Sequence, residues 1–321
     1  MTVIGIDIGG TTVKLGTVKN SEAIVYRDTR PSPHEPEQMT RLLAEMIRTA
    51  RERFPGAPAG ISTAGAIDAA GYIDANQLNF WHAPIGPRLR ELLGESVPIE
   101  NDGVCAMLAE YAAGALRGCA CGVMITLGTG LGGGVMVNGR VLRGHGGAHA
   151  ELGHMITHVD GEKCSCGQTG CWECYASASA LSRMAGGMPP RDVVAAVRRG
   201  EMADVWRRYL HEVAQGLIGL CSIFAPEVIA VGGGLSGAQI VVDGIRDAVE
   251  RDQGYRQYYS YARIVSAHFG NDAGILGAAE LAVRKDKENE ARCIDLFVRS
   301  IALYRTAFAG RRDSRGGCDG L

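Results

Sequence analysis

The sequence predicts an α/β protein built from two similar lobes with a central cleft. Two observations carry that expectation. Each half of the chain opens with an apolar strand, a run of glycines and a second strand: VIGIDIGGTTVKLGTV from residue 3 and CGVMITLGTGLGGGVMV from residue 121. A further strand closing on glycines, PEVIAVGGGLS from residue 226, follows a long helical stretch. Sheets connected by helices bury their apolar faces against those helices, and a repeated strand–glycine–strand pattern points to duplication.

The elements follow in order. VIGIDIG is a strand of alternating apolar residues, GGTT a turn, and VKLGTV and AIVYRD two more strands. EPEQMTRLLAEMIRTARERF sets Met39, Leu42, Leu43, Met46 and Ile47 at helical spacing. AGISTAG and AIDAAGYIDA are strand-like around glycine turns. VPIEND ends a strand, and Asp102 stands where the helix GVCAMLAEYAAGAL begins. In the second half, CGVMITLGTG, LGGGVMVNGRVL and PEVIAVGGGLS read as strands, whereas VWRRYLHEVAQGLIGLCSIF and AQIVVDGIRDAVERD read as helices. The expected division is a lobe over 1–117, a second lobe over 118–283 and a tail over 284–321. In the tail, Ile294, Phe297, Val298, Ile301, Tyr304 and Phe308 form one helical stripe, fit to dock on this chain or on a copy of it. RRDSRGGCDGL after it reads as disordered.

Composition excludes several classes. With 321 residues, 46% hydrophobic and 21% charged, the chain is an ordinary soluble globular protein. A net charge of −2 offers no basic field for nucleic acid or an anionic membrane. MTVIGIDIGG lacks the pattern of a secretion signal, and no apolar run approaches the roughly 20 residues of a membrane helix. The expectation is a cytoplasmic protein whose 10 cysteines stay reduced.

Three glycine clusters each follow an apolar strand: DIGGTT, LGTGLGGG and VGGGLS. Glycine lets backbone N–H groups approach an anion, and the hydroxyls of Thr11, Thr12 and Thr129 add donors for phosphate oxygens. One such loop is as readily a plain turn; three together favour nucleotide binding. Neither a P-loop nor a dinucleotide fingerprint is present at the first strand. Asp7, beside the first glycines, is either a turn carboxylate or an oxygen ligand for Mg²⁺.

The segment ELGHMITHVDGEKCSCGQTGCWE places His154, Cys164, Cys166 and Cys171 in an H-x9-C-x-C-x4-C arrangement. Three thiolates and an imidazole suit a tetrahedral, closed structural zinc site, with a redox or unliganded role for the cysteines as the alternative. Cys174 is left as a packing thiol. Such a site orders a loop and does no chemistry, so its neighbours Glu151 and Glu173 need another purpose. Held rigid, they suit paired hydrogen bonds to adjacent sugar hydroxyls, and the ring nitrogen of His154 that does not face the metal remains for a further hydroxyl.

These motifs together resemble the ROK family of sugar kinases, within the hexokinase–actin-like ATPase superfamily, from residue 3 to about 283. DIGGTTVKLG is similar to the first phosphate motif, ITLGTGLGGG to the second, PEVIAVGGGLS to the adenosine motif, and ENDGVCAMLAE to the catalytic segment. AELGHM with CSCGQTGCWECYASA resembles the family's sugar and zinc signature. The resemblance implies a duplicated ribonuclease H-like/actin-like ATPase fold, ATP with Mg²⁺ as donor, and a structural Zn²⁺ on His154, Cys164, Cys166 and Cys171. It implies Asp102 as general base, and Asn101, Asp102, Glu151, His154 and Glu173 around the sugar, with Gly65 and Asn76 at further sugar-contacting positions. STAG stands where many members have Pro-Gly. ATP is implied to meet Asp7, Gly9, Gly10, Thr11, Thr12 and Lys14, then Gly128, Thr129, Gly130, Gly132 and Gly133, then Gly232, Gly233 and Gly234.

The implied reaction is phosphorylation of a hexose 6-hydroxyl, most simply glucose entering glycolysis. VMITLGTGLGGG, AELGHM and GCWECYASA look most like bacterial glucokinases of the family, whereas STAG and NDGVCA look nearer to N-acetylmannosamine kinases. An N-acylhexosamine, N-acetylmannosamine or N-acetylglucosamine, is therefore the rival substrate. Repressors of the same family carry an N-terminal DNA-binding module, for which a first strand beginning at Val3 leaves no room. A silent sugar sensor is the remaining alternative, against which an intact Asp102 argues. That aspartate is expected either to cap its helix, to act as base, or both, with the helix N-terminus keeping it ionised. A homodimer or larger assembly is expected, from the resemblance and from the tail's stripe. Arg143 and His145, in the turn RGHGG, are left open between solvent and substrate.

Overall fold

Two five-stranded sheets organise the chain. The structure, a computed structural model, describes residues 1–144, 149–252 and 262–284. Strands β1 (Thr2–Ile8), β2 (Thr12–Lys19) and β3 (Ala23–Pro31) form an antiparallel meander. Helix α1 (Pro36–Arg53) then crosses to β4 (Ala59–Thr63), which lies parallel to β1. A small antiparallel sheet of β5 (Ala66–Ile67), β6 (Ile73–Ala75) and β7 (Phe80–Ala83), followed by α2 (Ile85–Leu93), is inserted before β8 (Ile99–Asn101). Strand β8 pairs parallel to β4 and runs straight into α3 (Asp102–Ala113).

The second half repeats this plan. Strands β9 (Cys121–Leu127), β10 (Leu131–Val137) and β11 (Arg140–Val141) are the meander. Helices α4 (Glu173–Ala176), α5 (Ala178–Met184), α6 (Pro190–Arg198) and α7 (Ala203–Phe224) precede β12 (Val228–Gly232), and α8 (Gln239–Asp252) precedes β13 (Arg263–Ser266). The sheet orders β3-β2-β1-β4-β8 and β11-β10-β9-β12-β13 match strand for strand, so the duplication read from the glycine pattern is present in the topology.

Local sequence explains most elements. In α1, Met39, Leu43, Met46 and Ile47 are buried while Leu42 lies at the edge of the core, the stripe expected of a helix lying on a sheet. The sequence reading assigns no helix to IGPRLRELL, where α2 forms. Pro87 falls in its first turn, where a missing N–H costs nothing, and Gly94 closes it in the left-handed region (φ 75°).

The two halves exchange helices. Helix α3 leaves β8 and packs on the other sheet, where Val104, Met107 and Leu108 share a core with Met124, Met136 and Val228. Residues 273–282 of the helix that follows β13 lie on the first sheet. A methyl group added to Gly5 or Gly60 would collide with the carbonyls of Ile275 and Ala278. The two helices touch where Gly277 rests on the Cys105 carbonyl, with no room for a side chain. Fully buried Glu110 ties the far end of α3 to the chain after β13. One carboxylate oxygen accepts the N–H groups of His268 (2.6 Å) and Phe269 (3.0 Å), the other that of Ala115 (2.7 Å).

Met1–Ala282 forms one compact unit. The predicted stripe Ile294, Phe297, Val298, Ile301, Tyr304 and Phe308 lies outside the described residues. Among the described residues no helix is long and apolar enough to cross a membrane. The glycine contacts of the 273–282 helix give a stability prediction. Gly5→Ala overpacks the helix–sheet contact and costs about 1–3 kcal/mol, read as a lower denaturant midpoint at unchanged m-value.

Candidate active site and metal centre

A cavity of about 790 Å³ opens between β4, the small sheet, the N-terminus of α3, the β9–β10 turn and the cysteine segment. It gathers every residue expected on the sugar side: Gly65, Asn76, Asn101, Asp102, Glu151, His154 and Glu173, with Gly128, Thr129, Gly130 and Gly132 from the second glycine loop. Asp74, Gln77, Thr126 and Ser165 also line it and have no signature in the sequence reading. Gly65 is held at φ 93° against the Asp74 carbonyl, a conformation and a closeness that a Cβ would not tolerate.

Helix α3 is capped by Asn101, not by Asp102. The Asn101 side-chain oxygen accepts the N–H groups of Gly103 (2.9 Å) and Val104 (3.3 Å), and its amide donates to the Gly65 carbonyl at 3.0 Å. Asp102 is thereby released from capping. Gly103 N–H donates to its Oδ1 at 2.8 Å. Asp102 faces water in the cavity, yet protein walls surround it, and this burial pushes its pKa up to about 6. The Gly103 hydrogen bond works against the rise, the charge of Asp7 adds to it, and His149 offsets part of it. The helix N-terminus is expected to keep this carboxylate ionised; burial outweighs the Gly103 amide, yet a pKa of about 6 still leaves the group mostly ionised near neutrality.

Asp7, next to last in β1, lies opposite Lys14 of β2 and accepts the Ser62 hydroxyl at 2.9 Å. Its pKa is raised, first by burial, with Ser62 and Lys14 acting in the opposite direction. Gly9 closes the turn by donating to the Thr12 carbonyl at 3.0 Å. None of Asp7, Gly9, Gly10, Thr11, Thr12 and Lys14 lines the cavity.

The metal-type cluster forms as the spacing predicts. One potential ligand atom from each of His154, Cys164, Cys166 and Cys171 lies within 4.8 Å of the others. Cys166 and Cys171 sulfurs are 3.6 Å apart, and Cys164 Sγ is 3.6 Å from His154 Nδ1. A tetrahedral zinc site with Zn–S near 2.3 Å has ligand–ligand edges of about 3.8 Å, so the set fits that ion in kind and in spacing. Nδ1 is the His154 nitrogen turned to the cysteines, and His154 also lines the cavity. Glu173 joins the two sites: its Oε1 lies 3.3 Å from Cys164 Sγ and its Oε2 accepts Leu131 N–H at 3.2 Å. Cys171 and Cys174 have the C-x-x-C spacing of a redox pair, with Cys174 in α4, a spacing that the sequence reading overlooks. Cys171 Sγ lies 3.6 Å from that of Cys166, whereas Cys174 Sγ faces the Lys163 carbonyl at 3.9 Å.

A second cavity, of about 600 Å³, shares Gly128 and Thr129 with the first. Leu127, Ala178, Pro190, Val194 and Leu235 make it largely apolar, and Arg191, Arg198 and Gly234 also line it. Helix α6 is the contribution missed from sequence, where PPRDVVAAVRR carries only an amphipathic pattern. Gly232 and Gly233 lie outside this lining. Gly133 sits within β10, against Gly103 of α3.

Comparison with known proteins agrees with this arrangement. The ROK family matches residues 3–285. A glucokinase of Streptomyces coelicolor is 33% identical over 311 residues, covering 88% of this chain and 98% of that protein. An N-acetylmannosamine kinase of Citrobacter koseri is 31% identical over 297 residues, covering 88% of this chain and 99% of its own length. Among solved structures, a ROK family glucokinase of Streptomyces griseus in complex with glucose and AMPPNP superposes with a TM-score of 0.78 at 32% identity, over 88% of this chain and 100% of that one. The duplicated topology is the actin-like ATPase fold of such kinases. The chain belongs to the ROK family.

Proposed function

We propose that the chain transfers the γ-phosphoryl group of ATP to the 6-hydroxyl of a hexose, with glucose as the first choice. The observation that carries this reading is the meeting of the two cavities at Gly128 and Thr129. One contains a carboxylate with a raised pKa among amide, imidazole and carboxylate groups that suit sugar hydroxyls. The other is apolar enough for a purine. The names of the relatives point the same way.

In this mechanism the sugar oxygen attacks the γ-phosphorus, the bond from that phosphorus to the bridging oxygen breaks, and ADP leaves. Asp102 accepts the hydroxyl proton. Gly103 holds Oδ1, so the proton goes to Oδ2. Backbone N–H groups of the second glycine loop stabilise charge on the transferring group, and most of the rate gain comes from alignment of the two substrates. Asp7 is the oxygen donor for the Mg²⁺ that accompanies ATP, since a cation relieves the burial cost of its carboxylate. His154 and the three cysteines hold zinc, which when bound fixes the loop and supplies no chemistry. His154 then offers Nε2 to a sugar hydroxyl. Glu173 Oε1, relieved of the Cys164 proton once that thiol is deprotonated, accepts another.

An N-acylhexosamine is the second reading, because identities of 33% to a glucokinase and 31% to an N-acetylmannosamine kinase scarcely differ. ADP release measured across glucose, N-acetylmannosamine, N-acetylglucosamine, mannose, fructose and allose decides between them. A kcat/KM highest for glucose is the expected result; preference for an N-acyl sugar moves the substrate and leaves the mechanism standing. No turnover with any of them, in zinc-replete protein, removes the kinase assignment.

Asp102→Asn lowers kcat by roughly 10²- to 10⁴-fold, the contribution of a positioned base, at unchanged zinc content. The base works deprotonated, so kcat/KM of the wild type falls as pH drops through about 6, where Asp102 titrates. A profile flat across that region would remove Asp102 from the role. Cys171→Ser reduces zinc from about one ion per chain to well under half, by metal analysis, and lowers the melting temperature.

A further inference from the structure

Two side chains outside the roles assigned above join the loop that carries Glu151 to the catalytic segment. The backbone of Arg143 pairs antiparallel with that of His149. From that pairing the Arg143 guanidinium reaches across the cleft to the carboxylate of Glu100 in β8, through Nη2 and Oε2. Glu100 is buried, and its other oxygen accepts the N–H of Asn101 at 2.8 Å. Arg143 thus fixes one point of its own chain against the residue that precedes Asn101 and Asp102.

His149 stands at the other side of the pairing. Its side chain is only 7% exposed, and its Nε2 lies 3.0 Å from Oε1 of Glu151, whose side chain remains 53% exposed on the cavity wall. An exposed glutamate otherwise samples several rotamers, and a ligand that fixes it bears the entropic cost. The titration shifts of both groups follow from the same contact. Glu151 is lowered first by its hydrogen bond to His149, and His149 is raised first by its bond to Glu151, with burial and Arg143 opposing and Glu100 assisting.

We propose that His149 is a positioning residue for sugar recognition: rooted at the Arg143–His149 pairing, which Glu100 anchors beside the catalytic aspartate, it holds Oε1 of Glu151 and so presents Oε2 to the sugar hydroxyls. The proposal rests on the reading of Glu151 as a sugar-binding group. His149 touches neither substrate, and its part in sugar recognition runs through that carboxylate.

The test is a steady-state comparison of His149→Ala, His149→Gln, His149→Asn, Glu151→Gln and the His149→Ala/Glu151→Gln double variant, with glucose and the best alternative sugar. Loss of a hydrogen bond to a charged group is worth about tenfold. His149→Ala should therefore raise KM for the sugar about tenfold, leaving KM for ATP and zinc content unchanged. His149→Gln, whose amide nitrogen reaches the place of Nε2, restores most of the loss, while the shorter His149→Asn does not. In the Glu151→Gln background, His149→Ala has little further effect. An unchanged sugar KM, equal losses in both backgrounds, or a rise in both KM values with loss of zinc overturns the proposal. If the alanine variant does not fold, the contrast between glutamine and asparagine decides. A wild type that neither binds nor phosphorylates any sugar overturns the kinase reading together with this one; an active wild type indifferent to His149 removes His149 alone.

Discussion

Everything in the cleft depends on where α3 is held. The helix begins at Asp102, and its position is fixed at three points along its length. Asn101 caps it and donates to Gly65, the Cys105 carbonyl bears directly on Gly277, and Glu110 gathers three backbone N–H groups at the far end. Each point joins α3 to a different part of the chain, so the aspartate at its start belongs mechanically to both lobes. The base role proposed for Asp102 requires that kind of support, because a displacement of about 1 Å can cost on the order of 10²-fold in rate.

The electrostatics of Asp102 show two opposing effects with a definite winner. A helix N-terminus favours a carboxylate, and Gly103 supplies the amide that does so. The walls of the cleft and the nearby charge of Asp7 act against it and carry the pKa to about 6. That value leaves the group mostly ionised near neutrality while making it a better proton acceptor than an ordinary aspartate. An unmodified helix-cap aspartate would be more acidic and a weaker base.

Much of this was legible in the sequence. Strand-then-glycine patterns mark β1, β9 and β12 because the chain must turn sharply where a buried strand ends. The periodicity of Met39, Leu43, Met46 and Ile47 marks α1 for an equally local reason. The cysteine cluster was readable because its four members lie within 18 residues, from His154 to Cys171, and glycine turns bring them together. What escaped depends on long-range packing. The exchange of helices between sheets, the rise in the Asp102 pKa and the wall that α6 gives the second cavity have no local signature. Asn101 rather than Asp102 as the cap was also not separable by spacing, since either side chain can serve. The Glu151–His149 contact is a short-range exception: only Ala150 separates the two residues, but their exposure decides which one holds and which one is held.

The helix over 273–282 has a consequence for synthesis of the chain on the ribosome. The strands of the first sheet are complete once Asn101 has been made, yet the face around Gly5 and Gly60 is covered by residues as late as Ala278. At roughly 5–20 residues per second, that face waits roughly 10 to 40 seconds for its cover. Through that interval the nascent first lobe presents an unfinished apolar surface, and a translational pause before the last helix emerges prolongs that exposure.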